Sequence, residues 1–170
     1  MTRVAADDGE LDLNDSVDLR TGPAIHDDLL ALLPLVGVWS GSGRSATAAG
    51  DTIVFAEQIV FGHDGRAFLF YDARRWTVDA VGRPVRPAGR EAAFWRPDDD
   101  DPDGLTVSIS TPTAAFTISG HSGDQRWELT GERERRLYAL VDDALVYVRE
   151  VSVDGNSWTA EAEGRLSRQH

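Results

Sequence analysis

The sequence predicts an all-β fold: a ten-stranded antiparallel up-and-down barrel with a short N-terminal capping helix. Three observations carry that expectation. From Val38 onward the chain divides into about ten short segments rich in β-branched and aromatic residues, separated by turn residues. The connections are of hairpin length throughout, which favours a meander over a Greek key. Gly37, Trp39, Gly41 and Gly43 share one parity, which puts bare backbone on one strand face where a neighbour can approach closely. They predict a first strand that bends sharply, with the Trp39 indole plugging one barrel end.

The elements follow in order. Residues 1–22 carry Asp7, Asp8, Glu10, Asp12, Asp15 and Asp18 with few large apolar groups. Such a segment buries too little surface to offset its ordering entropy, so a disordered acidic tail is expected there, and a single barrel domain over 23–170. Pro23 opens a short helix in which Ile25, Leu29, Leu32 and Leu33 recur at helical spacing, with Asp27 and Asp28 favouring its N-terminal dipole. Pro34 ends it. After the glycine strand comes Thr52 to Phe61, a turn at His63-Asp64-Gly65, and a strand from Arg66 to Ala73 that Arg74 to Ala80 continues or restarts. Gly82-Arg83-Pro84 turns into Gly89 to Arg96. Leu105, Val107 and Ile109 alternate with Thr106, Ser108 and Ser110 as a half-buried strand does. Ala114 to Ser119, Arg126 to Thr130, Arg135 to Val141, Ala144 to Val151 and Ser157 to Ser167 complete the series.

Composition excludes several chemistries. There is no cysteine, so thiol catalysis and thiolate metal sites are ruled out. All 17 basic side chains are arginine, which rules out a lysine Schiff base or lysine general base. A net charge of −12 argues against nucleic acid and anionic membrane surfaces as partners. No apolar run reaches the length of a membrane span, and the N-terminus lacks the basic-then-apolar pattern of a secretory signal. A cytoplasmic protein is the expectation.

Each candidate site in the sequence also has a plainer role. Gly41 to Ala46 fits a dinucleotide fingerprint in form, but a strand follows where that motif needs a helix. Asp99, Asp101, Asp103 and Gly104 match the first half of a calcium-hand loop, yet Ser110 stands where its bidentate Glu belongs, so no metal is expected there. His26, His63, His121 and His170 do not pair at metal-ligand spacing, and no Gly-x-Ser-x-Gly elbow exists. Glu57, Glu91, Glu128, Glu150, Glu161 and Glu163 lie in strands, where solvent-facing positions explain most of them. Arg74-Arg75 and the Arg133 to Arg136 cluster suit a carboxylate ligand through the guanidinium fork. Outward salt bridges are their expected role. No catalytic residue is assigned.

The stretch from Gly37 to Gly43, read as Gly-x-Trp-x-Gly-x-Gly, resembles the signature of the nitrobindins. Further pieces resemble that family in order: Leu32 to Val36, Phe61 to Leu69, Trp95-Arg96-Pro97 and Arg136 to Leu140. The similarity runs from about Ile25 to Arg168. It implies a ten-stranded barrel, related in shape to lipocalins and fatty-acid-binding proteins. Members hold ferric haem b through one histidine on the last strand, react with nitric oxide and are assigned peroxynitrite isomerisation to nitrate. Register from Gly164 to Arg168, and from Asp154-Gly155, puts Glu161 at that ligand position. No histidine lies between His121 and His170.

Imidazole is a good axial donor to haem iron, whereas a carboxylate is a harder, anionic ligand with a desolvation cost in an apolar pocket. Glu161 is therefore expected to be protonated, paired with an arginine or facing water. Alternation places Glu161, Glu163 and Arg165 on one face and Trp158, Ala160, Ala162 and Leu166 on the other. Either the lumen is polar at Glu161 or a bulge shifts the register. The favoured expectation is a non-enzymatic, nitrobindin-like barrel without the haem histidine or any cofactor, binding an unknown small apolar or amphipathic ligand, with a homodimer allowed. The alternative is a haem b-binding peroxynitrite isomerase, reactive toward nitric oxide, that uses a different axial ligand or none from the protein. A barrel that only presents a surface to a partner protein has no positive feature in its favour.

Overall fold

A computed structural model describes residues 16–169. Ten strands close into one antiparallel barrel: β1 (Gly37–Ala46), β2 (Thr52–Gly62), β3 (Leu69–Val78), β4 (Pro84–Pro97), β5 (Gly104–Ser110), β6 (Ala115–Gly123), β7 (Arg126–Thr130), β8 (Glu134–Val141), β9 (Ala144–Val151) and β10 (Thr159–Arg168). Each strand pairs with its sequence neighbours, and β1 pairs with β10 to close the ring. The two expected segments after His63 are one strand, β3. Register shifts between β3 and β4 at Arg75/Trp76 and Thr77/Val78 give the sheet extra local twist there.

The expected helix is shorter and tighter than its spacing predicted. Two 3₁₀ turns replace it, Asp27–Leu29 and Leu33–Leu35. Pro34 lies inside the second turn, where a longer helix would lose a backbone hydrogen bond. Leu29, Leu32 and Leu35 are buried and close the lower barrel end, so the capping role is retained. The Trp127 indole N–H donates to the Ala31 carbonyl at 3.2 Å, tying this cap to β7. No helix among the described residues is long and apolar enough to cross a membrane.

Of the expected acidic tail, residues 1–15 lie outside the described residues. Ser16 is buried and forms a two-bond backbone bridge with His63 (2.7 and 2.9 Å) at the closed end.

Closure depends on the glycines of β1. Gly41 lies opposite Leu166 of β10, and a Cβ on it would stand 2.3 Å from the Arg165 carbonyl oxygen. A Cβ on Gly43 would stand 2.4 Å from the Phe55 ring and 2.5 Å from the Glu163 carbonyl oxygen. Both β10 and an inward aromatic of β2 thus occupy the space that side chains would take. Trp39 continues the same parity into the core. Its indole N–H donates to the Leu35 carbonyl at 2.8 Å, and the Arg168 guanidinium lies over its ring at 4.2 Å. Arg168 also donates to the carbonyls of Pro34 and Val36, so one side chain joins β10, the cap and β1. Above the cap the interior is filled by Phe61, Tyr71, Trp95 and Tyr138. Phe61 and Tyr138 each meet Trp95 edge-on at 5.2 Å.

Two substitutions test this closure. Trp39→Ala is expected to cost about 3–5 kcal/mol, the range for emptying a buried aromatic site. Gly41→Val is expected to lower the denaturation midpoint as well, because the obstructing atom is backbone and cannot rotate away. Chemical denaturation of the two variants checks both, and a wild-type midpoint in either refutes its assigned role.

Candidate functional site

The inward parity of each strand carries apolar groups at the closed end and ionisable groups toward the mouth. On β2 it runs from Phe61 and Ile59 to Glu57. On β3 it runs from Leu69 and Tyr71 through Ala73 to Arg75, and on β4 from Trp95 and Ala93 to Glu91. On β8 it runs from Tyr138 to Arg136 and Glu134, and on β9 from Leu145 and Tyr147 to Arg149. A layer of paired charges therefore lies across the lumen above the aromatic core.

Arg136 is the centre of that layer, with its side chain only 4% exposed. Its fork donates to both oxygens of Glu91 (2.5 and 2.8 Å), and its Nε donates to Glu134. Beside it, Arg75 donates to Glu57 at 2.6 Å and to the Tyr147 hydroxyl at 3.0 Å. The Tyr147 hydroxyl in turn donates to the other Glu57 oxygen at 2.5 Å. Bidentate and cross-linked geometry of this kind is what a buried ion pair needs to offset its desolvation. Burial works to raise the Glu91 carboxyl, but the hydrogen bonds and charge of Arg136 outweigh it and hold the carboxyl below its ordinary 4.5. Burial opposes the Arg75 charge too, yet the Glu57 carboxylate holds that guanidinium protonated. Tyr71 and Tyr147 are pushed up, chiefly by burial, and stay neutral phenols.

Above this floor a cavity of about 370 Å³ opens at the mouth. Its wall includes Tyr71, Ala73, Ala88, Gly89 and Glu91, with Arg75, Arg90 and Arg149 as its cations and the Thr111 to Thr113 turn at the rim. Arg90 is also bonded outward to Asp72 at 2.9 Å.

Glu161 lies beside this cavity and is not part of its wall. The register between β9 and β10 shifts between Ala160 and Ala162, so β10 opposes two residues, Glu161 and Ala162, to Arg149 alone. This bulge breaks the alternation that would send Glu161 outward. Ala162 and Leu166 are buried inward, and Glu163 pairs outward with Arg44. Glu161 meets Arg149 at 2.5 Å. The β9–β10 loop leading to the bulge is held by Asp154, which accepts from the backbone N–H groups of Asn156 and Ser157 at 2.8 Å each.

Of the positions singled out in the sequence, Gly37, Trp39, Gly41 and Gly43 belong to the seam and the closed end, away from the cavity. The expected outward roles of the arginines hold for Arg74 and Arg135, which are half exposed. They do not hold for Arg75 and Arg136, which face the lumen, nor do solvent-facing roles hold for Glu57 and Glu91. The missed signal was parity: counting in twos from Ile59, Tyr71, Trp95 and Tyr138 reaches each of these four residues. His63, expected in a turn, is buried at the closed end with neither ring nitrogen hydrogen-bonded among the described residues.

The fit of haem b to these residues divides. Its carboxylate arms match guanidinium forks, and the cavity offers Arg75, Arg90 and Arg149. Its iron finds no imidazole, thiolate or thioether on that wall. The candidate oxygen donors there are the neutral Tyr71 phenol and Glu91, both of whose oxygens are held by Arg136.

A family model described as THAP4-like, heme-binding beta-barrel domain matches residues 28–168. A peroxynitrite isomerase of Salinispora tropica is 37% identical over 170 aligned residues, covering 91% of this chain and 87% of that protein. A ferric nitrobindin-like protein of Corynebacterium jeikeium is 36% identical over 157, covering 84% and 74%. The solved structure of Rv2717c from M. tuberculosis superposes with a TM-score of 0.71 at 23% identity, over 86% of this chain and 99% of that one, and shares its fold. These matches correct the expectation that the barrel takes no cofactor: its family binds haem, which points to haem b.

The charged layer predicts an acid-side loss of stability. Because Glu91 titrates lower in the fold than its ordinary 4.5, its contribution is complete above that value and is lost as pH falls through the depressed one. Denaturation midpoints should therefore decline from about pH 5 downward, and Glu91→Gln should flatten that decline. Arg136→Leu, which strands Glu91 without its partner, should cost roughly 3–5 kcal/mol at neutral pH. Denaturant titrations across pH check both.

Proposed function

The chain belongs to the nitrobindin family of THAP4-like, heme-binding β-barrels, and from that premise we propose that it binds haem b in the barrel mouth without a histidine ligand from the protein. The observation that carries this reading is the cavity walled by Arg75, Arg90 and Arg149 above a buried ion-pair floor. Guanidinium forks suit the two carboxylates of the macrocycle. Ala73, Ala88 and Gly89 leave a small-residue wall against which a flat, apolar ring can lie.

The role of each residue follows from its place. Arg149 and Arg90 stand at the cavity wall with partly exposed side chains and serve to orient carboxylate arms. Arg75 is committed to Glu57 and Tyr147, so it contributes a fixed positive field more than a free fork. Glu91 and Arg136 hold the floor rigid, and the aromatic layer below excludes water from the lumen. When bound, haem supplies a redox-active iron, while the protein supplies position and electrostatics. The relatives named peroxynitrite isomerase suggest the reaction, conversion of peroxynitrite to nitrate. Both species are anions, so the cationic wall favours their approach within a protein of net charge −12.

Titration of the purified protein with ferric hemin, followed by absorption, tests the reading. Saturable one-to-one binding is expected, with a spectrum distinct from that of imidazole-ligated ferric haem. A titration without saturation overturns haem binding. Stopped-flow decay of peroxynitrite mixed with the loaded protein tests the activity separately. A rate no greater than that of free hemin removes the isomerase assignment and leaves binding intact.

A further inference from the structure

Among the lumen arginines, Arg149 differs in how it is partnered. Arg136 is held by Glu91 in a two-bond fork and by Glu134, and Arg75 is held by Glu57 and Tyr147. Among the described residues, Arg149 makes its ion pair with Glu161 and meets it poorly, although its charge also acts on Glu91. The Nη2–Oε2 separation is 2.5 Å, yet neither that Oε2 nor Arg149 Nε has a hydrogen-bond partner, although both atoms are buried. The two side chains touch as charges without the aligned geometry of a fork. Their exposures, 22% for Arg149 and 37% for Glu161, leave room for either to turn.

The two residues also face different spaces. Arg149 lines the mouth cavity, whereas Glu161 lines a separate recess of about 170 Å³ with Arg44, Ser45, Ala46 and Thr52. Glu161 stands on the bulge, the one place where β10 departs from its pairing with β9. The bulge therefore places against Arg149 Nη2 a carboxylate that is not itself part of the cavity wall.

We propose that Arg149 is a carboxylate-binding residue of the mouth and that Glu161 is its internal competitor, which an incoming ligand carboxylate must displace. The ligand class is an amphipathic organic acid: a carboxylate that reaches Arg149, with an apolar body over Ala73, Ala88 and Gly89. A planar fork with an unused Nε–H has the donors for a two-point grip that Glu161 does not supply. Glu161 is then a counter-ion that sets the affinity of the site, not a ligand to iron. The inference rests on the haem-binding reading for the place of the site, and it is separable from that reading because metal-free ligands probe it.

The test compares wild type with Glu161→Gln, Arg149→Gln and the double variant, each first shown to keep the wild-type thermal midpoint. The probes are metal-free protoporphyrin IX and its dimethyl ester, which lacks free carboxylates, followed by fluorescence. Glu161→Gln is expected to bind protoporphyrin IX about five-fold tighter, the size of a partly exposed ion pair. The gain should be absent for the ester and absent in the double variant. If Arg149→Gln does not fold, Arg149→Lys replaces it and should also lose the gain, since an ammonium offers no fork. Competition by decanoate identifies the source of the carboxylate: displacement of the porphyrin assigns the site to free organic acids as well, and no displacement assigns it to porphyrin carboxylates alone. Equal or weaker binding by Glu161→Gln overturns the proposal, as does an equal gain for the ester. Saturable hemin binding that is indifferent to Glu161→Gln overturns the proposal while the haem reading survives. Failure of hemin on every protein, with decanoate bound more tightly by Glu161→Gln, has the opposite meaning.

Discussion

Closing a ten-stranded sheet on itself forces one face of every strand into a shared interior of limited volume, and the seam between β1 and β10 is where that constraint is tightest. Gly41 and Gly43 have no side chain because the β10 backbone and the Phe55 ring already occupy the space. With the seam closed, Trp39 reaches the capping turns, and Arg168 ties β10 to the carbonyls of Pro34 and Val36. Among the described residues, large aromatic and aliphatic groups fill the lower barrel, and the charged mouth cavity lies toward the other end.

That other end is floored by charge. Buried arginine–glutamate pairs are weak stabilisers compared with apolar packing, because desolvation offsets most of their attraction. Their value here is positional. Glu91, Arg136, Glu57, Arg75 and Tyr147 form cross-linked pairs that hold the mouth at one geometry and put cationic groups on its wall. An acidic protein thereby presents a local positive surface at the mouth of its barrel, which is what recognition of a carboxylate or another anion needs.

The last strand shows how family membership and individual sequence interact. The chain matches a heme-binding barrel family over residues 28–168, and yet it has no histidine on β10. Glu161 is set by a bulge against Arg149. A haem site with arginine forks for the carboxylate arms and no imidazole for the iron binds through a different balance of forces from one centred on an axial ligand. In the haem-binding mode proposed above, affinity rests on carboxylate recognition and apolar contact, and so on the state of Arg149.

Much of the fold was legible in the sequence because it is encoded locally. Period-two alternation, turn residues and strand glycines each act over a few residues, and they located the ten strands and the barrel class. The Gly37 to Gly43 stretch and the pieces that follow it in order also identified the family. Three things needed the tertiary structure. The two 3₁₀ turns replaced a helix because packing of Leu29, Leu32 and Leu35 over the barrel end outweighs local spacing. The inward charges were read as outward because a strand's parity says which residues share a face, but only closure of the ring says that polar members of that face have partners across it: Glu91 and Arg136 are 45 positions apart and Glu57 and Tyr147 are 90 apart. The side taken by Glu161 depended on a bulge, a register event between two strands that no single strand's pattern contains.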